Sequence, residues 1–195
     1  MSLVRLAPGL LLAAPRLGDP NFVRTVVLLG RHEDDGALGW VLNGQALSPV
    51  GELLNEAEMV PAGITLPAAT GFSRLARVGG PVSSQSGWLV YRRAASFTEV
   101  AHEIEVGDLG VSGDAAAFDA LLAGRGPEDF RLLLGYAGWG PGQLDAEVQA
   151  GAWLPAPLDA ELVLDLEADD LWDAAYRRAT GAAPGAFQSH SRGSA

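Results

Sequence analysis

The chain has 195 residues, a hydrophobic content of 48% and a mean hydropathy of +0.16, enough for one sizeable core or for two small subdomains sharing one. It contains no cysteine and no lysine, which excludes disulfides, thiolate metal sites, a cysteine nucleophile and Schiff-base chemistry. The net charge of −11 belongs to one half: residues 1–99 hold 8 Arg against 8 acidic residues, and residues 100–195 hold 5 Arg against 16. Acidity of this kind repels phosphate backbones, so direct nucleic-acid binding is not expected.

At the N-terminus, Leu10-Leu11-Leu12-Ala13-Ala14 is too short for a secretory apolar region of roughly 7–15 residues, and Pro8-Gly9 interrupts the approach to it. Gly9 to Ala14 therefore reads as a first buried strand. No segment reaches the roughly 20 apolar residues that cross a bilayer, and the expected location is cytoplasmic, without membrane contact. Gly18-Asp19-Pro20-Asn21 is a turn, with Phe22 as its core anchor. Arg24 to Gly30 is a second strand, Arg31 to Gly36 a polar hairpin loop ending in Asp-Gly, and Ala37 to Asn43 the returning strand.

Ser48-Pro49 reads as the start of a helix, serine as N-cap and proline in the first turn, with Leu53, Leu54 and Ala57 inward. Pro61 to Ser73 lacks periodicity and reads as a loop. Leu75 to Val78 is a strand leading into Gly79-Gly80-Pro81-Val82, where the glycines permit a close backbone approach. Strands follow at Gly87–Arg92, Glu103–Val106 and Leu109–Ser112. Asp114 or Ser112 then caps a helix with Ala115, Phe118, Leu121 and Leu122 at helical spacing and Gly124 as its stop.

Arg131 to Leu154 is the organising stretch: an apolar strand through Leu132-Leu133-Leu134, a loop Gly138-Trp139-Gly140-Pro141-Gly142, and a short helix through Leu144 and Val148. Trp153 follows as an aromatic anchor. Leu162 to Leu166 reads as a last strand, and Asp169 to Ala179 as a closing helix with Leu171, Trp172, Ala175 and Tyr176 inward. Its acids open it and Arg177-Arg178 close it, which complements the helix dipole. Residues 1–181 form the expected folded unit, and 182–195 a disordered tail with few apolar anchors.

The segment GYAGWGPGQLDAEVQAGAWL, running from Gly135 to Leu154, resembles the signature of the YqgE/AlgH family of bacterial proteins. Gly9 to Asn43, Gly79-Gly80-Pro81-Val82 and Leu171-Trp172 agree with it in the same order, so the resemblance spans about Gly9 to Tyr176. One departure is Val90-Tyr91, where relatives often carry Leu-His. The family is largely uncharacterised, and its name retains a link to transcriptional control of exopolysaccharide synthesis. What the resemblance implies is a compact α+β fold: a mainly antiparallel sheet, curved or partly closed, with about four helices outside.

For chemistry, the glycine loop admits two readings. Free N–H groups at a helix N-terminus could bind an anion beside Tyr136 and Trp139. The loop could instead turn strand onto helix while Trp139 plugs the core; the loop ends Gly142-Gln143-Leu144, without the Gly-Lys-Ser/Thr of a phosphate loop. His32-Glu33-Asp34-Asp35 could hold a metal or an acid–base pair. Neighbours on a strand face opposite ways, however, so a solvated loop is preferred and no metal or cofactor is expected. Ser112 sits in no G-x-S-x-G elbow and reads as a cap.

The remaining candidates for a pocket or anion site are Asp19, Arg24, His32, Asn43, Tyr136, Trp139, Gly140 and Gln143, with Thr25 beside them. They could line one pocket, or could hold the loops in place, for example through an Asp19–Arg24 ion pair. The sequence thus points to a non-enzymatic regulatory or interaction protein, acting through a protein partner or a small molecule and compatible with a homodimer. The alternative is a metal-independent hydrolase or transferase using His32 or a carboxylate.

Overall fold

The computed structural model describes residues 5–15, 17, 22–67, 70–93, 97 and 102–181; Asp19 and the expected tail at 182–195 lie outside them. Strand β1 (Gly9–Ala13) is buried at every residue, because both of its faces are covered. Strands β2 (Val26–Glu33) and β3 (Gly36–Val41) form the expected hairpin, with Glu33 opposite Gly36 across a two-residue turn. Gly36 is needed there: its φ is +137°, and a Cβ would stand 2.3 Å from the Trp139 carbonyl oxygen. The expected loop begins too early, since Arg31, His32 and Glu33 belong to β2. Alternation explains the difference: Arg31 and Glu33 face solvent while His32 turns inward.

Strand β4 (Ala46–Pro49) leads into helix α1 (Val50–Glu56). Ser48 is not its cap. β4 pairs with β5 (Leu75–Val78), which draws Ser48 into extended backbone, and the Val50 N–H donates to the Arg74 carbonyl instead. A short helix α2 (Thr70–Ser73) interrupts the expected loop. The chain continues through β6 (Val82–Arg92), β7 (Ile104–Val106), β8 (Leu109–Ser112), α3 (Ala115–Leu122) and β9 (Phe130–Trp139). Asp114 caps α3 by accepting the Ala116 N–H. Helix α4 (Gln143–Gln149), strand β10 (Trp153–Pro157), α5 (Ala160–Asp165) and α6 (Ala168–Thr180) complete the described chain.

Leu162 to Leu166 is thus helical through Asp165 rather than a strand. Asp159 accepts the Leu162 N–H as an N-cap, and a run of only three consecutive buried residues, Leu162 to Leu164, is too short for periodicity to separate the two states. With α2 and α5 added, six helices replace the expected four among the described residues.

The sheet runs β10-β1-β2-β3-β9-β6-β8-β7, antiparallel throughout this path; β5 joins β9 in parallel and carries β4. The arrangement is α+β. The sheet is open: it curls enough for Val106 of β7 to share a core with Leu10 of β1, but β10 and β7 do not pair. Side chains of α5 and α6, including Leu162, Leu164, Leu171 and Trp172, pack into that core. Two further cores cover the opposite face. One lies beneath α1, α2 and α3 around Phe72, Phe118 and Phe130, the other beneath α4 around Trp139 and Trp153. The Trp172 indole N–H donates to the Ala13 carbonyl at 2.9 Å, tying α6 to β1.

Candidate functional site

The three strands β2, β3 and β9 place His32, Ala37 and Trp139 in one row, since His32 pairs with Ala37 and Ala37 with Trp139. Helix α4 closes over that row. Gly142, at its N-cap, has a φ of +70°, which swings the chain back across the sheet and seats Leu144 in the core. The swing places Asp145 over His32 and Glu147 over the tryptophans.

His32 is 4% exposed. Its Nδ1 accepts the Leu6 N–H at 3.3 Å, which puts the ring proton on Nε2, 3.3 Å from the Asp145 carboxylate. Both ring nitrogens are therefore engaged inside the protein. Beside this pair, one oxygen of Glu147 accepts both indole N–H groups, from Trp139 at 2.9 Å and from Trp153 at 2.8 Å. Its other oxygen accepts from Gln143 Nε2 at 2.9 Å, and Gln143 Oε1 in turn accepts the Gly140 N–H at 3.0 Å. The two indole rings meet edge-on, with Phe22 against Trp153. This cluster joins His32, Trp139, Gly140 and Gln143 of the expected set.

Arg24 and Asn43 form a second group. Arg24 has a φ of +54°, unusual for a residue with a side chain. Asn43 Nδ2 donates to the Arg24 carbonyl at 2.9 Å, while its Oδ1 accepts the Val26 N–H at 2.8 Å, so one side chain clamps both sides of the bend. The Arg24 guanidinium lies over the Trp172 ring and pairs with Asp173 at 2.7 Å. Thr25 Oγ1 donates to the Phe22 carbonyl. Tyr136 stands apart from both groups, edge-on to Trp88. None of His32, Arg24, Asn43, Tyr136, Trp139, Gly140 and Gln143 lines the clefts at α3 or at the end of α6.

Several partners were missed by the sequence reading. Asp145 and Glu147 carry no local signal for these partners beyond the i, i+4 spacing of Gln143 and Glu147. Arg131 is 7% exposed and donates from Nε and a terminal nitrogen to the carbonyls of Val163 and Leu166, closing the C-terminal end of α5. Burial, and next the neighbouring Arg74, lower its pKa to about 10. Burial also raises the Tyr91 phenol, reinforced by its 2.5 Å hydrogen bond to Glu103. Arg93 is raised chiefly by its own bond to Glu103. Among the described residues, no three His, Asp or Glu side chains gather closely enough to hold a metal ion.

The family model described as AlgH-like matches residues 10–184. A UPF0301 protein of Anaeromyxobacter sp. strain Fw109-5 is 39% identical over 93% of this chain and 92% of its own. Another, from Myxococcus xanthus strain DK1622, is 41% identical over 88% and 90%. The solution structure of the AlgH protein from Pseudomonas aeruginosa superposes with a TM-score of 0.74 at 31% identity, covering 100% of this chain and 98% of that one. The crystal structure of protein DIP2367 from Corynebacterium diphtheriae gives 0.69 at 27% identity, covering 91% and 90%. With hairpin, glycine loop and closing helix all inside the matched span, this chain belongs to the AlgH-like family.

Proposed function

We propose that this chain is a non-enzymatic interaction protein that works through a protein partner, with any influence on transcription indirect. One observation carries the reading: His32, Asn43 and Gln143, polar side chains of the candidate set, are spent on internal bonds. His32 has both ring nitrogens occupied and its side chain is 2% exposed, so it offers no lone pair to a substrate. Glu147 is the shared acceptor of two indoles and an amide, and Asn43 clamps a bend. Tyr91 and Arg93, both raised, and Arg131, lowered, sit at hydrogen bonds that tie strands and helix α5 together. The family name retains the regulatory association, and the acidic surface supports a route through protein rather than DNA.

A second reading, a metal-independent hydrolase or transferase, draws on the His32–Asp145 pair at 3.3 Å, a geometry that base catalysis also uses. One experiment separates the two. The purified protein and its His32→Gln variant are assayed against chromogenic esters, phosphates, amides and glycosides, with folding checked by circular dichroism. The interaction reading expects equal, background rates. Turnover that vanishes in a folded His32→Gln protein overturns it.

A further inference from the structure

Helices α1 and α3 pack over one core, which includes Leu54 and Phe118. Between them lies a cleft of about 370 Å³, walled by Leu53, Ala57 and Met59 on one side and Phe118 on the other, with Leu132 and Leu134 as its floor. Met59 is 41% exposed, an open thioether at the mouth of an apolar groove. Methionine at such a position adapts to differently shaped partners, because its unbranched chain repacks at little cost. Through Gly87, Gly113 and Ala115 the cleft continues into a wider one of about 830 Å³ lined in part by His102, Glu103 and Asp114.

Charge narrows the choice of occupant. Glu56 and Glu58 flank Ala57, Glu52 lies one helical turn before Glu56, and Asp119 follows Phe118 on α3. All four are exposed, and none has an arginine partner among the described residues. No basic residue lines the apolar cleft. Elsewhere on the surface Asp129, Asp159, Asp165, Asp169 and Asp173 are each matched by an arginine. Unmatched acids around an apolar groove repel nucleic acid and anionic ligands, and they complement a segment that presents apolar side chains flanked by Arg or Lys.

We propose that the α1–α3 cleft docks a basic amphipathic segment of a partner protein. The proposal rests on the interaction reading above and gives it a location. Apolar side chains of the segment enter between Leu53, Met59 and Phe118, and its cations meet Glu52, Glu56, Glu58 and Asp119.

The test uses the full chain, labelled with nitrogen-15, and a short synthetic peptide of leucine and arginine in amphipathic order. A matched peptide with glutamate for arginine serves as control. Expected are amide shifts concentrated in α1 and α3, weakened by salt, with the arginine peptide binding at least about tenfold more tightly than the control. Met59→Ser and Glu56→Arg, both at exposed positions, each weaken binding severalfold while the remaining spectrum stays folded. Shifts centred on another face, equal binding of both peptides, indifference to both substitutions, or no shifts at millimolar peptide overturn the proposal. A concentration-dependent dimer that masks the same amides overturns it too, since a second copy is then the occupant. These outcomes leave the interaction reading standing, whereas turnover lost in His32→Gln removes that reading and leaves the peptide result unaffected.

Discussion

Glu147 shows how much one side chain can organise. Two buried indole N–H groups and one amide converge on it, so removing the carboxylate strands donors that cannot all reach water. Glu147→Ala is expected to cost about 2–3 kcal/mol in urea unfolding, reduced from the full burial penalty because Glu147 is only partly buried. Glu147→Gln keeps an acceptor oxygen and should cost about 1 kcal/mol. The indole emission of Trp139 and Trp153 reports the same change. Tyr91 gives a pH-dependent counterpart. Its folded pKa is raised above the unfolded value of about 10, so its contribution is fully present below that pH and is lost as pH rises further. Wild type should therefore lose more stability than Tyr91→Phe between pH ~8 and ~11. Arg131 acts in the opposite sense: lowered to about 10, it favours the folded state as pH rises toward the ordinary arginine range. Both proteins carry Arg131, so its contribution cancels in the comparison. An equal loss in the two would remove the role assigned to the Tyr91–Glu103 bond.

At the scale of elements, the glycines divide by what surrounds them. Gly80 has a φ of +152°, and a Cβ there would lie 2.1 Å from the Tyr136 carbonyl carbon, in backbone that cannot yield. A Cβ on its neighbour Gly79 would stand 2.6 Å from the Gly135 carbonyl oxygen, so the β5–β6 connection crosses β9 backbone to backbone. Gly142 also has a positive φ, +70°, but nothing lies within 4 Å of the added carbon. The prediction is a sharp contrast: Gly80→Ala abolishes soluble expression or lowers stability by more than about 4 kcal/mol, whereas Gly142→Ala costs about 1 kcal/mol from backbone strain alone. Comparable losses in chemical denaturation would show that crowding at the crossing does not govern the fold.

For the whole molecule, charge placement bears on partners. Arg24, Arg31, Arg74, Arg77, Arg92, Arg93 and Arg178 each pair with a carboxylate, and Arg131 is buried. A basic stripe drawn from Arg5, Arg16, Arg74, Arg77, Arg92 and Arg93 therefore loses four of its members to acids, and Arg16 lies outside the described residues. Phosphate binding would have to break these pairs before releasing any counterions. Titration against promoter DNA at two salt concentrations should give weak, flat signals; submicromolar affinity with a steep salt slope would contradict this. No helix among the described residues is long and apolar enough to cross a membrane.

Local chemistry was sufficient for much of this protein. The Asp-Gly turn, the glycine-rich crossing, the Asp114 cap and the apolar stripe of α6 each follow from neighbours in sequence, and Trp139, Trp153 and Trp172 are buried as their surroundings imply. Long-range pairing decided the rest. Ser48 became strand because β5 was available to pair, and Leu162 to Asp165 became helix because the sheet's concave side had to be filled. Arg24 found Asp173, and His32 found Asp145, across separations that no local pattern encodes. Short-range preferences amount to tenths of a kcal/mol per residue, and burial of a side chain to several times that, so where the two compete the tertiary structure prevails.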